Sequence, residues 1–105
     1  KLYIDVIEAY LKRAQYFEQS GNYKWMFMAV KGCMCQYYYM SKENEKCWGE
    51  KEVQDSYQRC RTFIERHRNN TREMKCRLQM MLFCMNIHLY NGMCRWVIKV
   101  RDNIL

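Results

Sequence analysis

Seven cations fall between Arg59 and Arg77: Arg59, Arg61, Arg66, Arg68, Arg72, Lys75 and Arg77, opposed only by Glu65 and Glu73. That run carries +5 of the chain's formal +7. Arginine dominates it, and a planar guanidinium presents paired donors that match phosphate and carboxylate oxygens better than a lysine ammonium does. The chemistry such a cluster offers is anion capture, with a nucleic-acid backbone, another polyanion or an acidic peptide as the partner. Asn69, Asn70 and Thr71 lie inside the run and add hydrogen-bonding groups for phosphate oxygens. No known nucleic-acid-binding motif accompanies the charge, and no ladder of stacking aromatics interleaves with it. A solvated basic turn is the simpler reading.

Catalytic chemistry finds little support. His67 and His88 are the only histidines. Cys60 precedes His67 by two helical turns, roughly 10 Å, too far for a thiol–imidazole pair. No carboxylate neighbours either histidine in a pattern that suggests a proton shuttle. There is no glycine-rich phosphate loop, serine elbow or carboxylate dyad, so the chain is read as a non-enzyme with no cofactor. The seven cysteines, at 33, 35, 47, 60, 76, 84 and 94, contain no Cys-x-x-Cys pair and match no zinc pattern. Their odd number leaves at least one unpaired in a monomer. Most lie on apolar helix faces, where a thiol acts as a small hydrophobe. They are read as reduced core residues, which implies a cytoplasmic or other reducing compartment.

The elements that must position these groups follow from the 3.6-residue period. The first helix covers about 2–19, with Ile4, Ile7, Tyr10, Leu11, Ala14 and Phe17 on one stripe. Ser20-Gly21-Asn22 breaks it. The second runs over about 23–40, with Met26, Ala29, Val30, Cys33, Tyr37 and Met40 on one face and Phe27, Met34 and Tyr38 on another. Residues 41–49 read as the longest loop. The third helix, about 50–68, sets Val53, Tyr57, Cys60, Ile64 and His67 against a densely charged face. Asn70 and Glu73 resemble a capping box for a fourth helix over about 71–90. That helix has one stripe of Met74, Leu78, Met81, Met85 and Leu89 and a second of Cys76, Met80, Phe83 and Ile87, which predicts burial on two sides. Asn91-Gly92 is expected to end it before a short fifth helix over about 93–104.

No segment alternates with period two, and the least charged stretch, Leu78 to Cys94, is too polar to span a bilayer. The expectation is one all-α domain over residues 1–105: four to five antiparallel helices packed as αα-hairpins. Both a closed bundle and a short right-handed hairpin array fit the pattern, and the oligomeric state is open.

The second helix carries more aromatic side chains than one face needs. Trp25, Phe27, Met28, Tyr38 and Tyr39 are therefore candidates to line a groove for a peptide or partner helix. The alternative is a core that requires an all-round apolar helix.

Ala14, Phe17, Gly21-Asn22-Tyr23, Met26, Val30 and Cys33 resemble the helix–turn–helix core of a tetratricopeptide repeat, with Leu89-Tyr90-Asn91-Gly92 leading to Val97 as a weaker second instance. The same stretch, with Arg59-Cys60 and Phe63-Ile64, is similar to a microtubule-interacting-and-transport three-helix domain. Both resemblances imply helical hairpins that bind short peptides or helices in grooves. The 34-residue period fails, since Asp55 stands where a second turn glycine would fall.

Leucine and alanine together fill nine positions, while methionine and cysteine fill sixteen and proline none. Natural helical domains lean on leucine and alanine. Correct binary patterning filled with such residues fits a designed helical scaffold. The sequence thus points first to a non-catalytic helical scaffold, and behind it to a peptide-binding adaptor or a polyanion binder.

Overall fold

In the computed structural model, which describes residues 2–104, five α-helices carry the chain: α1 (Leu2–Gln19), α2 (Tyr23–Glu43), α3 (Lys51–His67), α4 (Met74–Met85) and α5 (Ile87–Ile104). No strand forms among the described residues, and the domain is all-α. No helix is long and apolar enough to cross a membrane.

The turn between α1 and α2 forms as its residues dictate. Gly21 takes φ +74°, the left-handed conformation that costs glycine least. Its N–H donates to the Glu18 carbonyl, and the Asn22 N–H donates to the Phe17 carbonyl. These two bonds are the Schellman pair, which satisfies carbonyls left over at a helix end. Asn22 Oδ1 then accepts from the Trp25 N–H, capping α2. The resulting antiparallel hairpin is the most extensive helix pair in the fold. At Gly32 the backbone of α2 approaches α1 so closely that an added Cβ would lie 2.5 Å from the Tyr10 ring.

From this hairpin the helices close on themselves. α3 lies against α1, α4 against α3, α5 against α4, and α5 returns to α2. The result is a closed bundle. The predicted stripes of α1, α2 and α3 all turn inward: Ile4, Ile7, Leu11 and Ala14; Met26, Val30, Cys33, Met34 and Tyr37; Val53, Cys60 and Ile64.

Three expectations are corrected. First, the longest non-helical stretch is residues 68–73, and not 41–49. α2 continues to Glu43, and a 3₁₀ turn over Glu45–Gly49 folds onto the core. The reason is that Cys47 is buried and the Trp48 ring stacks on Tyr37 at 5.8 Å while its Nε1–H donates to Ser41 Oγ at 2.8 Å. Second, the break between α4 and α5 falls at Asn86. Its N–H closes α4 on the Leu82 carbonyl, and its Oδ1 accepts from the His88 N–H to open α5. Asn91-Gly92 runs on as helix because Tyr90 and Asn91 are buried, Tyr90 edge-on to Phe83; packing overrides weak propensity. The second hairpin turn expected there does not exist. Third, the capping box at Asn70 and Glu73 does not form. Glu73 makes no capping bond, and Asn70 Nδ2 bonds to His67 Nδ1 instead.

At the centre stands Tyr37, fully buried. Its ring meets Trp48, Tyr57 and Phe83. Its hydroxyl shares a 2.6 Å hydrogen bond with Ser56 Oγ, another fully buried group. Burial pushes the phenol far above its ordinary range. Tyr37→Phe keeps the ring contacts but strands the Ser56 hydroxyl, and an unsatisfied buried hydroxyl costs about 1–3 kcal/mol. Urea unfolding should register that loss, and a Tyr37→Phe/Ser56→Ala double variant should recover much of it.

Candidate partner-docking face

The seven cations of the basic run do not form one patch. Arg59, on the outer side of α3, binds Glu8 of α1. Arg66 Nη2 lies 3.4 Å from Glu18 Oε2, also on α1, and Arg68 lies 3.9 Å from Glu65. Arg61 stands near Tyr57 and Cys84. The basic face of α3 is therefore largely spent on holding α1. Arg72, two residues before α4, and Lys75 and Arg77, in its first turn, are exposed; these three and the half-buried Arg61 carry no ion pair among the described residues. Glu73, in their midst, reaches Lys31 at 3.6 Å.

His67 is buried, and its Nε2 meets the Glu18 carboxylate. The sequence offered it no carboxylate; the fold brings one from 49 residues away. Tyr23 and Phe63 pack on the imidazole, and Asn70 holds its other nitrogen. Its polar partners are thus Glu18 and Asn70. The Glu18–His67–Arg66 cluster fastens the carboxyl-terminal ends of α1 and α3. Glu18→Gln removes the charge while keeping the shape. It should cost about 1–3 kcal/mol in urea unfolding, the range for losing a charge-assisted bond at a largely buried group. An unchanged midpoint would mean that the cluster contributes nothing to stability.

The groove expected on the second helix is not assembled. Phe27 and Tyr38 are buried in the core and unavailable to a partner, because α2 is the central helix and needs apolar residues on several sides. Trp25, Met28 and Tyr39 remain exposed. Around Gly32, between Met28 and Tyr39, the Tyr10 ring covers the helix.

The apolar surface that does stay open lies elsewhere. Met74 (74% exposed), Leu78 (49%), Met81 (37%) and Met85 (63%) form a stripe along the outer side of α4. Leu89, past the break on α5, is exposed as well. This stripe was expected in the core. Only its opposite, Cys76, Met80, Phe83 and Cys84, is buried, because α4 packs on α3 and α5 and nothing in the described chain covers its far side. The exposed residues recur at intervals of 4, 3 and 4, the spacing of a coiled-coil seam. At 100° per residue, Lys75 and Arg77 stand on opposite flanks of it. A depression of about 390 Å³ at its amino-terminal end is lined by Arg68, Asn69, Met74, Arg77, Leu78 and Met81. Apolar anchors with a cationic rim meet there.

The sequence did carry a signal for this face. The signal was the second apolar stripe itself, Met74, Leu78, Met81 and Met85, opposite Cys76, Met80 and Phe83. Comparisons with family models, curated proteins and solved structures find no match to this chain. Among the described residues no group of three or more metal-ligating side chains converges.

Proposed function

We propose that this chain is a non-catalytic helical docking domain whose α4 face receives an acidic amphipathic helix of a partner protein. The observation that carries the reading is the exposed Met74–Leu78–Met81–Met85 stripe, spaced as a coiled-coil seam and flanked by Lys75 and Arg77. Contiguous exposed apolar surface of this kind marks interaction sites, and helix-in-groove recognition reads anchors at such intervals. Charge selects the occupant. Arg72, Lys75 and Arg77 favour glutamate and aspartate on the incoming helix, whereas a second copy would bring another +7 to the same surface. The basic run supports the same role: Arg59 and Arg66 are bound to α1 carboxylates, whereas Lys75 and Arg77 are left to flank the apolar stripe. An inert designed scaffold, the expectation from composition, gives this face nothing to do.

A fluorescein-labelled model helix, with leucines at seam spacing and glutamates on both flanks, tests the reading by anisotropy titration. Saturable binding that weakens as salt rises is expected. Leu78→Asp should weaken it at least about tenfold, near 1.4 kcal/mol, with the circular dichroism spectrum unchanged. A helix of the same seam carrying lysine flanks should bind far less. Equal binding by the variant, or by the lysine-flanked helix, sinks the proposal. Binding of labelled DNA in preference to the acidic helix would favour the polyanion reading instead.

A further inference from the structure

Two of the seven thiols face each other inside the core. Cys33 on α2 and Cys60 on α3 are 27 residues apart in sequence, and their Sγ atoms lie 3.0 Å apart in mutual hydrogen-bond contact. Both residues are almost wholly buried. Among the described residues no other pair of thiols is in hydrogen-bond contact: Cys47, Cys76 and Cys84 are buried, and the exposed Cys35 and half-buried Cys94 both lie beside Tyr90. The geometry points to Cys33 and Cys60 as a reversible oxidation site that closes to a disulfide between α2 and α3.

The closure needed is small. A disulfide sulfur pair sits near 2.05 Å, so the two atoms must approach by about 1 Å, a shift that neighbouring helices can absorb by slight sliding. The surroundings divide the two thiols into roles. The hydrogen bond from Cys33, assisted by the Tyr37 hydroxyl at 3.7 Å, holds Cys60 below the ordinary thiol range. The same contact, together with burial, pushes Cys33 well above it. Cys60 is therefore the sulfur that ionises first, and the thiolate is the reactive form.

The oxidant is a hydroperoxide. The Cys60 thiolate attacks the terminal oxygen, the O–O bond breaks, and Cys60 becomes a sulfenic acid while the departing oxygen takes up a proton. Cys33 Sγ then attacks the Cys60 sulfur, and the hydroxyl leaves as water with the Cys33 proton. With hydrogen peroxide the balance is two thiols and one peroxide giving one disulfide and two waters. Burial makes the reaction wait on local opening of the core, so it runs more slowly than oxidation of the exposed Cys35.

The test treats the full chain with hydrogen peroxide, quenches it, unfolds it, alkylates the free thiols and maps the peptides by mass spectrometry. A linked peptide pair containing Cys33 and Cys60, lost on treatment with dithiothreitol, is expected. Because the bond closes a long loop, Tm should rise on the order of 10 °C. Cys33→Ser should abolish both the linkage and the Tm rise. Recovery of Cys33 and Cys60 as alkylated thiols, with oxidation confined to Cys35 or Cys94, would overturn the inference. So would linkage of Cys60 to a different cysteine. The mapping on unmodified chain decides the matter even if the variant folds poorly.

Discussion

The fold depends on what surrounds one phenol. Tyr37 sits on the central helix, and its ring touches side chains from the 3₁₀ turn, α3 and α4. A fully buried hydroxyl is tolerable only when it is hydrogen-bonded, so Ser56 must face it from α3. That requirement fixes the rotation of α3 about its own axis. The same rotation brings Cys60 against Cys33 and aims Tyr57 at the Phe83 carbonyl, which ties α3 to α4. Apolar packing alone tolerates many arrangements of five amphipathic helices; a satisfied polar pair at their centre selects one.

Electrostatics reinforces that choice from outside. α1 contributes Glu8 and Glu18, and α3 answers with Arg59, Arg66 and His67. Exposed ion pairs are worth little individually, but here they set the register of two helices that share only a modest apolar contact. The consequence for the surface is a redistribution. The segment richest in positive charge hands Arg59 and Arg66 to α1, while Arg72, Lys75 and Arg77 stay unopposed around the start of α4.

The sequence revealed what depends on local pattern. Apolar periodicity identified α1, α2 and α3 and their buried faces, and Gly21 marked a turn that needs a positive φ. It misjudged what depends on tertiary partners. Asn86 ends α4 because its own side chain opens α5, whereas Asn91-Gly92 looked the stronger break but is held helical by burial. Residues 41–49 looked like a loop because their anchor, Trp48, finds its partner seven residues back on α2. The candidate site shows the same divide. The cations were evident from composition, but which of them are neutralised depends on carboxylates some fifty residues away. The outer stripe of α4 was visible as a stripe, but periodicity cannot say that no other helix arrives to cover it.

Three of the four residues on that stripe are methionines, and this shapes what the surface can recognise. An unbranched thioether with three rotatable bonds moulds itself to its neighbour and imposes little outline of its own. A leucine or isoleucine ridge would reject side chains of the wrong shape; a methionine ridge accepts most. Discrimination is then left to the rim, where Arg72, Lys75 and Arg77 can oppose a basic sequence more firmly than the stripe can oppose a misshapen one. Such a face has a permissive vocabulary and a strict grammar of charge.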